Sequence, residues 1–554
     1  MAHTVRTKSM RLAIATTLVA TAAAQNGTYS TDSIRWAPCP AEVAAAPVVC
    51  GELLVPLDYT NDRSNETLTL QLAKVPAITQ PSRGSVLMNF GGPGNDGRTM
   101  LGQYAPFLPL GSGGEFDLIA IDPRGTGNTI PFSCYQNETL RRAGQATVRQ
   151  ERANSSDATP GRLWAEAQVL ANDCGNALAN TTGSLVGTAF VARDFMKVVD
   201  ALGEDGLIRY WGFSYGSYLG STIAAMFPDR IDRMVLDGIV NIHEWQAGLT
   251  VEAVIDYDKT FKGFLDACVA HPDNCALARG SSNGSGNRTA GALEASLYDL
   301  LDRIKHAPFA VGSRIIDYTA LQNLINAGLR SPPTWPELAE ILDAILDGPD
   351  LSRLASLLQN SALLNVWSPG NEAYPGIRCG DQKFRTTDPE ALAPYNAARN
   401  ALSRLGGDEG LATAMQCARW PMAARERYEG DFRVRTRHPI LLIGNYADPV
   451  TPLASAKNAS AGFEGERGAG AQGVWARLHR AVVDLHDHGR SQVPHVRRAA
   501  CAGHELRGRP AGVRAASWER VDAGGGCPSQ AIHFLRGAVK VSVACLNAAR
   551  SAVH

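Results

Sequence analysis

Residues 212–216 of this 554-residue chain read Gly-Phe-Ser-Tyr-Gly, a spacing that presents the hydroxyl of Ser214 for nucleophilic attack on an acyl carbon. An apolar run at 207–211 precedes the serine and a helical pattern follows it, which predicts a strand, a sharp bend and a helix in succession. The glycines leave room for a strained serine backbone and a neighbouring strand, and the helix dipole favours developing negative charge. The pattern predicts acyl transfer through Ser214; the alternative is an ordinary strand-to-helix turn.

The same spacing occurs a second time, at residues 280–284, which read Gly-Ser-Ser-Asn-Gly. In a chain with 54 glycines about 0.3 matches are expected by chance, so the spacing alone is weak evidence. The second match lies in a polar stretch, overlaps a glycosylation sequon and has no strand pattern before it. Its context predicts a loop, whereas the context of Ser214 predicts a nucleophile.

Acyl transfer also needs N–H donors that stabilise the oxyanion of the tetrahedral intermediate, each typically contributing ~2.7–4 kcal/mol. The N–H of Tyr215, directly after the serine, is the first predicted donor. Residues 89–94 read Asn-Phe-Gly-Gly-Pro-Gly and follow an apolar run, so Gly92 is the second predicted donor. A phosphate-binding loop does not fit because no Gly-Lys-Ser/Thr follows, and a simple turn is the other interpretation.

A carboxylate is needed to hold the catalytic imidazole in the correct tautomer and to stabilise the imidazolium. Asp448 follows the apolar run 439–444, far downstream of the serine, which gives the chain order Ser, Asp, His that one large hydrolase class uses. Asp237, directly after an apolar run at 231–236, is a second candidate for this role. We expect Asp448 to be the acid.

The elements that must position these residues follow from hydrophobic periodicity. From about residue 50 to 240, short apolar runs alternate with helical patterns, which is typical of an α/β fold with a mostly parallel sheet. Loops after such strands lie where open α/β sheets build their sites. Leucine-rich helical patterns dominate residues 245–430, which we interpret as a helical lid inserted into the sheet domain. We predict strands at 85–90, 116–122, 207–211, 231–236 and 439–444, and helices at 189–202, 215–227, 338–346 and 351–364.

Composition supports a large globular protein. Hydrophobic residues make up 45% and charged residues 19% of the chain, which is too apolar for a disordered protein and long enough for two lobes. A net charge of −1 argues against a nucleic-acid binder, which needs a basic face. Past the N-terminus, no apolar run reaches the ~18–20 residues of a membrane helix.

The N-terminus and the cysteines predict export. Basic residues, an apolar stretch and Ala-Ala-Ala before Gln25 resemble a secretory signal peptide at 1–24, with a buried N-terminal helix as the alternative. Without a CxxC pair, the 11 cysteines indicate disulfides rather than metal ligands. Expected bridges are Cys39–Cys50, Cys134–Cys174, Cys268–Cys275 and Cys379–Cys417, which leaves Cys501, Cys527 and Cys545. Candidate glycosylation sites are Asn26, Asn65, Asn137, Asn154, Asn180, Asn283, Asn287 and Asn458.

Four motifs in order, together with Ile-Arg-Cys-Gly-Asp at 377–381, give the chain a family resemblance. Gly-Gly-Pro-Gly (91–94), Asp-Pro-Arg-Gly-Thr-Gly (122–127), the serine motif and Asp-Pro-Val-Thr-Pro (448–452) resemble the secreted tripeptidyl-aminopeptidase-like α/β-hydrolases, relatives of the proline iminopeptidases, over roughly residues 35–462. The resemblance implies an α/β-hydrolase fold with a helical lid and a serine exopeptidase acting on free N-termini. It also implies an acidic group that binds the substrate ammonium, for which Asp381 is the candidate, a surface or capping Asp being the alternative.

The chain departs from this family where the catalytic histidine is expected. The family has a Gly-His about thirty residues beyond the acid, whereas here His479 lies at that distance without a preceding glycine. The sole Gly-His downstream of Asp448 contains His504, which we take as the predicted base; His486 and His488 compete with it. A chain that lacks a catalytic histidine is the remaining alternative.

The expected domain organisation ends in an anomalous tail. Residues 467–520 contain ten arginines and no lysine, which suggests read-through of non-coding or shifted sequence. The expected segments are a signal peptide at 1–24, the hydrolase core at 25–244, the lid at 245–430, a second core part with the acid at 431–462, the Arg-rich segment at 463–526, and a C-terminal helix or tail at 527–554.

Three functions are compatible with these residues. The first is a secreted aminopeptidase that releases short peptides or single residues through an acyl-enzyme. The second is an ester or lactone hydrolase acting on a small metabolite, because the same residues serve either acyl transfer. The third is a binding protein that has lost its base. No cofactor or metal is implied, and the expected partner is a peptide or small acyl substrate rather than a nucleic acid or a membrane.

Overall fold

The computed structural model describes residues 33–463, with gaps at 42, 44–46, 147, 150, 280–287, 347–349, 360, 362 and 364–371, and the backbone of 533–535 and 538–540. The predicted signal peptide, Asn26, Asn283, Asn287 and the side chains of all candidate catalytic histidines lie outside the described residues. So do Cys501, Cys527 and Cys545.

An eight-stranded sheet forms the centre of the molecule, in the order β1-β2-β3-β5-β4-β6-β7-β10. Its first three strands pair antiparallel with their neighbours, and the five strands from β5 to β10 in this order run parallel. The mostly parallel α/β sheet predicted from the sequence is thereby confirmed. The strands of the sheet are β1 (Arg35–Pro38), β2 (Val49–Pro56), β3 (Thr67–Val75), β4 (Ser85–Asn89), β5 (Asp117–Ile121), β6 (Ile208–Phe213), β7 (Ile231–Asp237) and β10 (Ile440–Ile443).

Helices cover both faces of the sheet, and the α-helices among the described residues occur in the following order. They are α1 (Gly97–Tyr104), α2 (Leu108–Gly111), α3 (Glu138–Gln145), α4 (Thr159–Leu178), α5 (Thr188–Leu202), α6 (Tyr215–Met226), α7 (Ile242–Ala247), α8 (Tyr257–Ala270), α9 (Ala290–His306), α10 (Tyr318–Leu329), α11 (Trp335–Leu346), α12 (Leu351–Gln359), α13 (Ala373–Asp381), α14 (Ala393–Leu402), α15 (Leu411–Arg419) and α16 (Leu453–Ser460).

The strand β6 shows why a buried parallel sheet results from this sequence. Successive side chains of a strand point to opposite faces, and here both faces are covered. Tyr210 packs in one cluster with residues of α5 and α6, such as Phe195 and Leu219. Its neighbour Trp211 packs in a second cluster with Leu101 of α1. The near-continuous apolar run of this strand is therefore buried on both sides.

The helices α8 to α12, between β7 and β10, build a lobe with its own core. Tyr257, Phe261 and Leu265 of α8 pack with side chains of α9, α10 and α11 in a cluster separate from those of the sheet. A short hairpin, β8 (Phe309–Val311) and β9 (Arg314–Ile316), also belongs to this lobe. This helical insertion corresponds in place to the predicted lid.

Disulfides join the four cysteine pairs that the sequence analysis expected, Cys39–Cys50, Cys134–Cys174, Cys268–Cys275 and Cys379–Cys417. The last of them connects α13 to α15, and the second links the loop before α3 to α4. None of the described helices combines the length and the apolar composition of a membrane-spanning segment.

The expected C-terminal helix at 527–554 is not what the described part of that stretch forms. Residues His533–Leu535 (β11) and Ala538–Lys540 (β12) pair antiparallel, with Phe534 opposite Val539. These six residues are therefore not part of a helix, and the alternative, a tail, stays a prediction.

Candidate active site

Ser214 stands at a strained bend between β6 and α6. Its backbone has φ 53° and ψ −120°, a positive-φ conformation that costs a residue with a side chain about 1–3 kcal/mol. The Ser214 N–H donates to the carbonyl of Asp237 on the neighbouring strand β7 at 2.9 Å, which holds the bend in place. The helix α6 begins at the next residue, so Ser214 occupies its N-terminal cap position. Such a bend presents a serine hydroxyl at the carboxyl edge of the sheet.

The glycines of the serine motif are required by close backbone contacts. A β-carbon on Gly212 would lie 2.3 Å from the carbonyl oxygen of Gly216. A β-carbon on Gly216 would lie 2.6 Å from the carbonyl oxygen of Asn89 at the end of β4. Real β-carbons do not come this close to atoms to which they are not bonded. Both positions therefore exclude any side chain. The motif at 212–216 is therefore a packed strand-to-helix corner rather than an ordinary turn.

The glycine-rich loop after β4 lies against this corner. A β-carbon on Gly91 would be 2.9 Å from the β-carbon of Ser214 and 3.3 Å from the nitrogen of Tyr215. The N–H of Gly91 donates to the side chain of Asn89 at 3.0 Å. Gly92 follows with φ +106°, a conformation that favours glycine. The loop that carries the predicted donor Gly92 thus faces the residue that carries the other, Tyr215.

Two aspartates, Asp96 and Asp122, bind the first turn of the helix that follows this loop. Asp96 caps the first turn of α1 by accepting from the Thr99 N–H at 3.1 Å. Asp122, at the end of β5, is buried and accepts from the backbone N–H and the guanidinium of Arg98 at 2.9 and 2.7 Å. Burial and the neighbouring Asp96 raise the pKa of Asp122 to about 7. The aspartate of the Asp-Pro-Arg-Gly-Thr-Gly motif therefore anchors the helix that follows the glycine-rich loop.

The arginine of the same motif has a structural role. Arg124 is fully buried and binds Asp194 of α5 in a bidentate ion pair at 2.7 and 2.9 Å. Its remaining donors bond the carbonyls of Pro56 and Leu57 at the end of β2. The Tyr59 hydroxyl donates to Asp194 at 2.8 Å. These bonds fix α5 to the sheet, and so fix the N-terminus of that helix beside the serine.

Asp448 lies in the loop after β10, where the loop itself orients its carboxylate. One oxygen accepts from the N–H groups of Val450 and Thr451 at 3.0 and 2.8 Å. The other accepts from the Thr451 hydroxyl at 3.0 Å. The aspartate is half-buried, which suits a group that must reach an imidazole.

The strand register brings the serine and this loop to one edge. Phe213 on β6 pairs with Asp237 on β7, and Asp237 pairs with Ile443 on β10. Ser214 follows the first of these residues, and the loop with Asp448 follows the last. Neighbouring strands lie about 4.8 Å apart, so the ends of β6 and β10 are about 10 Å apart. A gap of that size accommodates an imidazole between a serine and a carboxylate.

Asp237, the second candidate acid, lies on β7, the strand between β6 and β10. Its side chain is 1% exposed, and its carbonyl holds the N–H of Ser214. Asp448, by contrast, projects from a loop on the far side of the gap. The placement favours Asp448 as the acid.

Asp381, the candidate ammonium-binding residue, is buried and hydrogen-bonded to Thr188. It ends α13, is 3% exposed, and accepts from both the N–H and the hydroxyl of Thr188 at the start of α5. The Thr188 hydroxyl also contacts the Tyr215 hydroxyl at 2.6 Å. Burial raises the pKa of Asp381 to about 7. The two bonds from Thr188 use only part of the acceptor capacity of the carboxylate, and the expected contact with a substrate amine stays a prediction.

Two residues that follow β7 contact the loop that carries Asp448 and the helix after it. Lys259 of α8 donates to the carbonyl of Tyr446, and its ammonium lies 3.2 Å from the centre of that tyrosine ring. Glu252 accepts from Ser455 of α16 at 2.6 Å and from Asn458. Sequence reasoning did not identify Thr188, Glu252 or Lys259, because their partners lie far away in the chain.

The base is absent from the described part of the chain. Among the described residues, no imidazole is hydrogen-bonded to the Ser214 hydroxyl, and no group of three His, Cys, Asp or Glu side chains forms a candidate metal site. His479, His486, His488 and His504 lie outside the described residues.

A cavity of about 310 Å³ lies elsewhere, between Arg193 of α5, Phe227 and the loop 426–430. Phe227 follows the C-terminal end of α6, whereas Ser214 precedes its N-terminus. A twelve-residue helix is about 18 Å long, so the cavity is remote from the serine.

Comparison with known proteins agrees with this geometry. Residues 85–278 match the α/β hydrolase fold family, and residues 403–489 match the family described as TAP-like protein. The second match includes Asp448, continues 27 residues into the Arg-rich segment from 463 to 489, and ends before His504.

Three relatives extend over most of the chain. Serine protease Hip1 of Mycobacterium tuberculosis is 29% identical over 442 residues, covering 76% of this chain and 80% of the relative. Tripeptidyl aminopeptidase of Streptomyces coelicolor is 26% identical over 495 residues, covering 82% and 83%. Carboxylesterase B of M. tuberculosis is 27% identical over 424 residues, covering 73% and 76%. The chain therefore contains an α/β-hydrolase fold domain and a TAP-like segment, and over most of its length it is similar to proteins named serine protease and tripeptidyl aminopeptidase.

Proposed function

We propose that the protein is a secreted serine aminopeptidase that releases short peptides, of the tripeptidyl type, or single residues from free N-termini. The observation that carries this proposal is the corner at Ser214, where a serine in a strained conformation faces the glycine-rich loop and shares a sheet edge with the Asp448 loop. The relatives named serine protease and tripeptidyl aminopeptidase support a peptide substrate.

The mechanism follows from this arrangement. The Ser214 hydroxyl attacks the scissile carbonyl while a histidine accepts its proton, and Asp448 stabilises the resulting imidazolium. The N–H groups of Tyr215 and Gly92 bind the oxyanion. When the tetrahedral intermediate collapses, the C–N bond breaks and the imidazolium gives its proton to the leaving amine. Water, activated by the same histidine, then hydrolyses the acyl-enzyme and regenerates the serine.

The base is one of the histidines after the Asp448 loop. His504 lies in the sole Gly-His downstream of Asp448, but the TAP-like match ends at residue 489 and so favours His479, His486 or His488. Alanine variants of His479, His486, His488 and His504 identify the base, because loss of a base lowers kcat by orders of magnitude while loss of a bystander leaves it unchanged. Full activity in all four variants would rule out each of these four histidines as the base.

An ester substrate is the second candidate, and one relative, Carboxylesterase B, favours it. The serine, the oxyanion donors and the acid serve amide and ester cleavage alike, so substrate assays must decide. The purified protein is expected to cleave a tripeptide anilide with a free amine at least tenfold faster than its N-acetylated counterpart. Equal cleavage of both would rule out an aminopeptidase, and turnover of short-chain esters without peptide cleavage would establish an esterase.

Export to an oxidising compartment is part of the proposal. The signal-peptide pattern predicts a mature N-terminus at Gln25, and the four disulfides suit an extracellular protein. Among the sequons, Asn65, Asn137 and Asn180 are exposed, whereas the amide of Asn154 donates to Asn400 at 2.8 Å and that of Asn458 donates to Glu252. N-terminal sequencing and glycopeptide mapping of the protein from culture medium test this part. A retained N-terminal Met, or intracellular protein alone, would contradict it.

A further inference from the structure

Three buried side chains form a hydrogen-bonded chain that connects helix α13 to the corner at Ser214. Asp381, the last residue of α13, binds Thr188, the first residue of α5, through both carboxylate oxygens. Thr188 binds the phenol of Tyr215, the first residue of α6, at 2.6 Å. Each of the three is at most 3% exposed. Their hydrogen bonds therefore form in a dry environment, where they are stronger than at the surface.

Only one assignment of donors and acceptors is consistent with all the bonds of this hydrogen-bonded chain. The carboxylate of Asp381 only accepts, so the Thr188 hydroxyl donates to it. The Thr188 oxygen is then left as the acceptor for the Tyr215 hydroxyl. Burial and the nearby Asp381 raise the pKa of Tyr215 well above its usual value, which keeps the phenol protonated as the donor. When Asp381 is ionised, these bonds fix the position of the Tyr215 ring.

The ring is held on its other sides by packing. The Trp245 ring lies 5.6 Å from that of Tyr215, and the Tyr218 ring lies 6.4 Å from it. Because its hydroxyl is hydrogen-bonded and its ring packs against two other aromatic rings, the backbone of Tyr215 has little conformational freedom. The Tyr215 nitrogen lies 3.3 Å from the position that a β-carbon on Gly91 would occupy. This N–H group therefore lies where the serine corner meets the glycine-rich loop.

We propose that Asp381, acting through Thr188, is a positioning residue that fixes Tyr215 and so aims its backbone N–H at the developing oxyanion. This inference rests on the proposed function, because it assigns Tyr215 to the oxyanion hole. Neither Asp381 nor Thr188 touches substrate in this proposal. Their effect is on the rate of acylation, since the N–H contributes mainly when charge develops on the acyl oxygen.

The test measures the second-order rate of Ser214 modification by a fluorophosphonate, whose phosphoryl oxygen occupies the oxyanion hole. Thr188→Val, Asp381→Asn and Tyr215→Phe are each expected to lower this rate five- to twentyfold in the full-length protein, whereas Thr188→Ser keeps it within twofold of the wild type. The double variant Tyr215→Phe/Asp381→Asn is expected to react no more slowly than the slower single variant. Both changes interrupt the same hydrogen-bonded chain, so the second change adds no further loss.

Ser221→Ala is the matched control. It removes another buried hydroxyl of α6, which donates to the Ser217 carbonyl at 2.8 Å and has no contact with the three-residue chain. It is expected to lower thermal stability and leave the labelling rate unchanged.

The outcomes separate this inference from the proposed function. If the wild type itself does not react, the proposed function fails. If the wild type reacts and the folded Thr188→Val and Tyr215→Phe variants react at the same rate, only the positioning role of Asp381 fails. Additive losses in the double variant would also overturn it, because they would mean that Asp381 acts independently of Tyr215.

Discussion

Gly91 lies so close to Ser214 that a β-carbon on the glycine would be 2.9 Å from the β-carbon of the serine and 2.7 Å from the carbonyl of Phe213. The φ of Gly91 is also +88°, a conformation that other residues rarely adopt. The glycine-rich loop and the serine corner are thus fitted to each other without intervening side chains. This contact fixes how far the loop's N–H groups are from the serine oxygen.

Replacing Gly91 by alanine should therefore displace the loop from the corner. We expect Gly91→Ala to lower kcat at least 100-fold, the typical cost of losing one oxyanion donor, with a smaller effect on KM. Gly161→Ala in α4, where a β-carbon would meet no atom within 4 Å, is the control and should retain wild-type activity. A Gly91→Ala protein with normal kcat would show that this loop does not contribute to catalysis.

Thr451 should tune the orientation of Asp448. Its hydroxyl and its N–H bind different oxygens of that carboxylate, and Thr451→Val removes only the hydroxyl. A hydrogen bond to a charged group contributes about 1.5–3 kcal/mol, so we expect a loss of roughly tenfold or more in kcat. Thr451→Ser should stay close to the wild type in the same assay. Equal losses in both variants would point to packing of the methyl group instead.

The Arg124–Asp194 pair should be a major contributor to stability. Arg124→Met leaves the Asp194 carboxylate buried without its cation, which we expect to lower the free energy of unfolding by about 3–5 kcal/mol. Arg142→Met, which breaks an exposed pair with Glu138, should cost less than about 1 kcal/mol. Urea unfolding of both variants measures the two losses. Similar midpoints for the two variants would contradict a structural role for Arg124.

Stability should rise as the pH falls through the range in which Asp381 takes up a proton. Burial raises the pKa of Asp381 from its ordinary 3.8 to about 7, with Arg427 opposing the shift and the neutral phenols of Tyr215 and Tyr218 nearby. Between these two values the folded state binds more protons than the unfolded state, so the free energy of unfolding increases towards pH 4 and levels off above pH 7.

Asp381→Asn should remove this contribution. From pH 7 to pH 5 we expect the wild type to gain up to about 2 kcal/mol more than the variant, measured by urea unfolding at each pH. The comparison with the variant is needed because Asp122, whose pKa is also raised to about 7, contributes in the same direction in both proteins. Parallel pH profiles for the two proteins would show that Asp381 does not titrate in this range.

Most of the parallel sheet could be predicted from the sequence. The strands β4, β5, β6, β7 and β10 begin and end within two residues of the predicted bounds, because each is an apolar run that ends at glycine, proline or a charged residue. The antiparallel strands β1 to β3 were not predicted as such. β1 is short and largely exposed, so it carries no hydrophobic pattern.

The site could be predicted only where its chemistry is local in sequence. The corner at Ser214 depends on contacts among near neighbours and on glycines, which a motif records. The environment of Asp381 depends on Thr188, which is 193 positions away, and burial of a carboxylate cannot be read from its own neighbours in the chain. The sequence therefore identified Asp381 as a candidate but not its hydrogen bonds to Thr188.

The central claim is that Ser214, at the carboxyl edge of the sheet, is a nucleophile activated by its surroundings. The most direct measurement is mass spectrometry of the full-length protein after reaction with a fluorophosphonate, followed by peptide mapping. A single adduct on Ser214, absent in Ser214→Ala and retained in Ser282→Ala, is the predicted result. A folded protein without an adduct, or with an adduct on Ser282, would contradict the account.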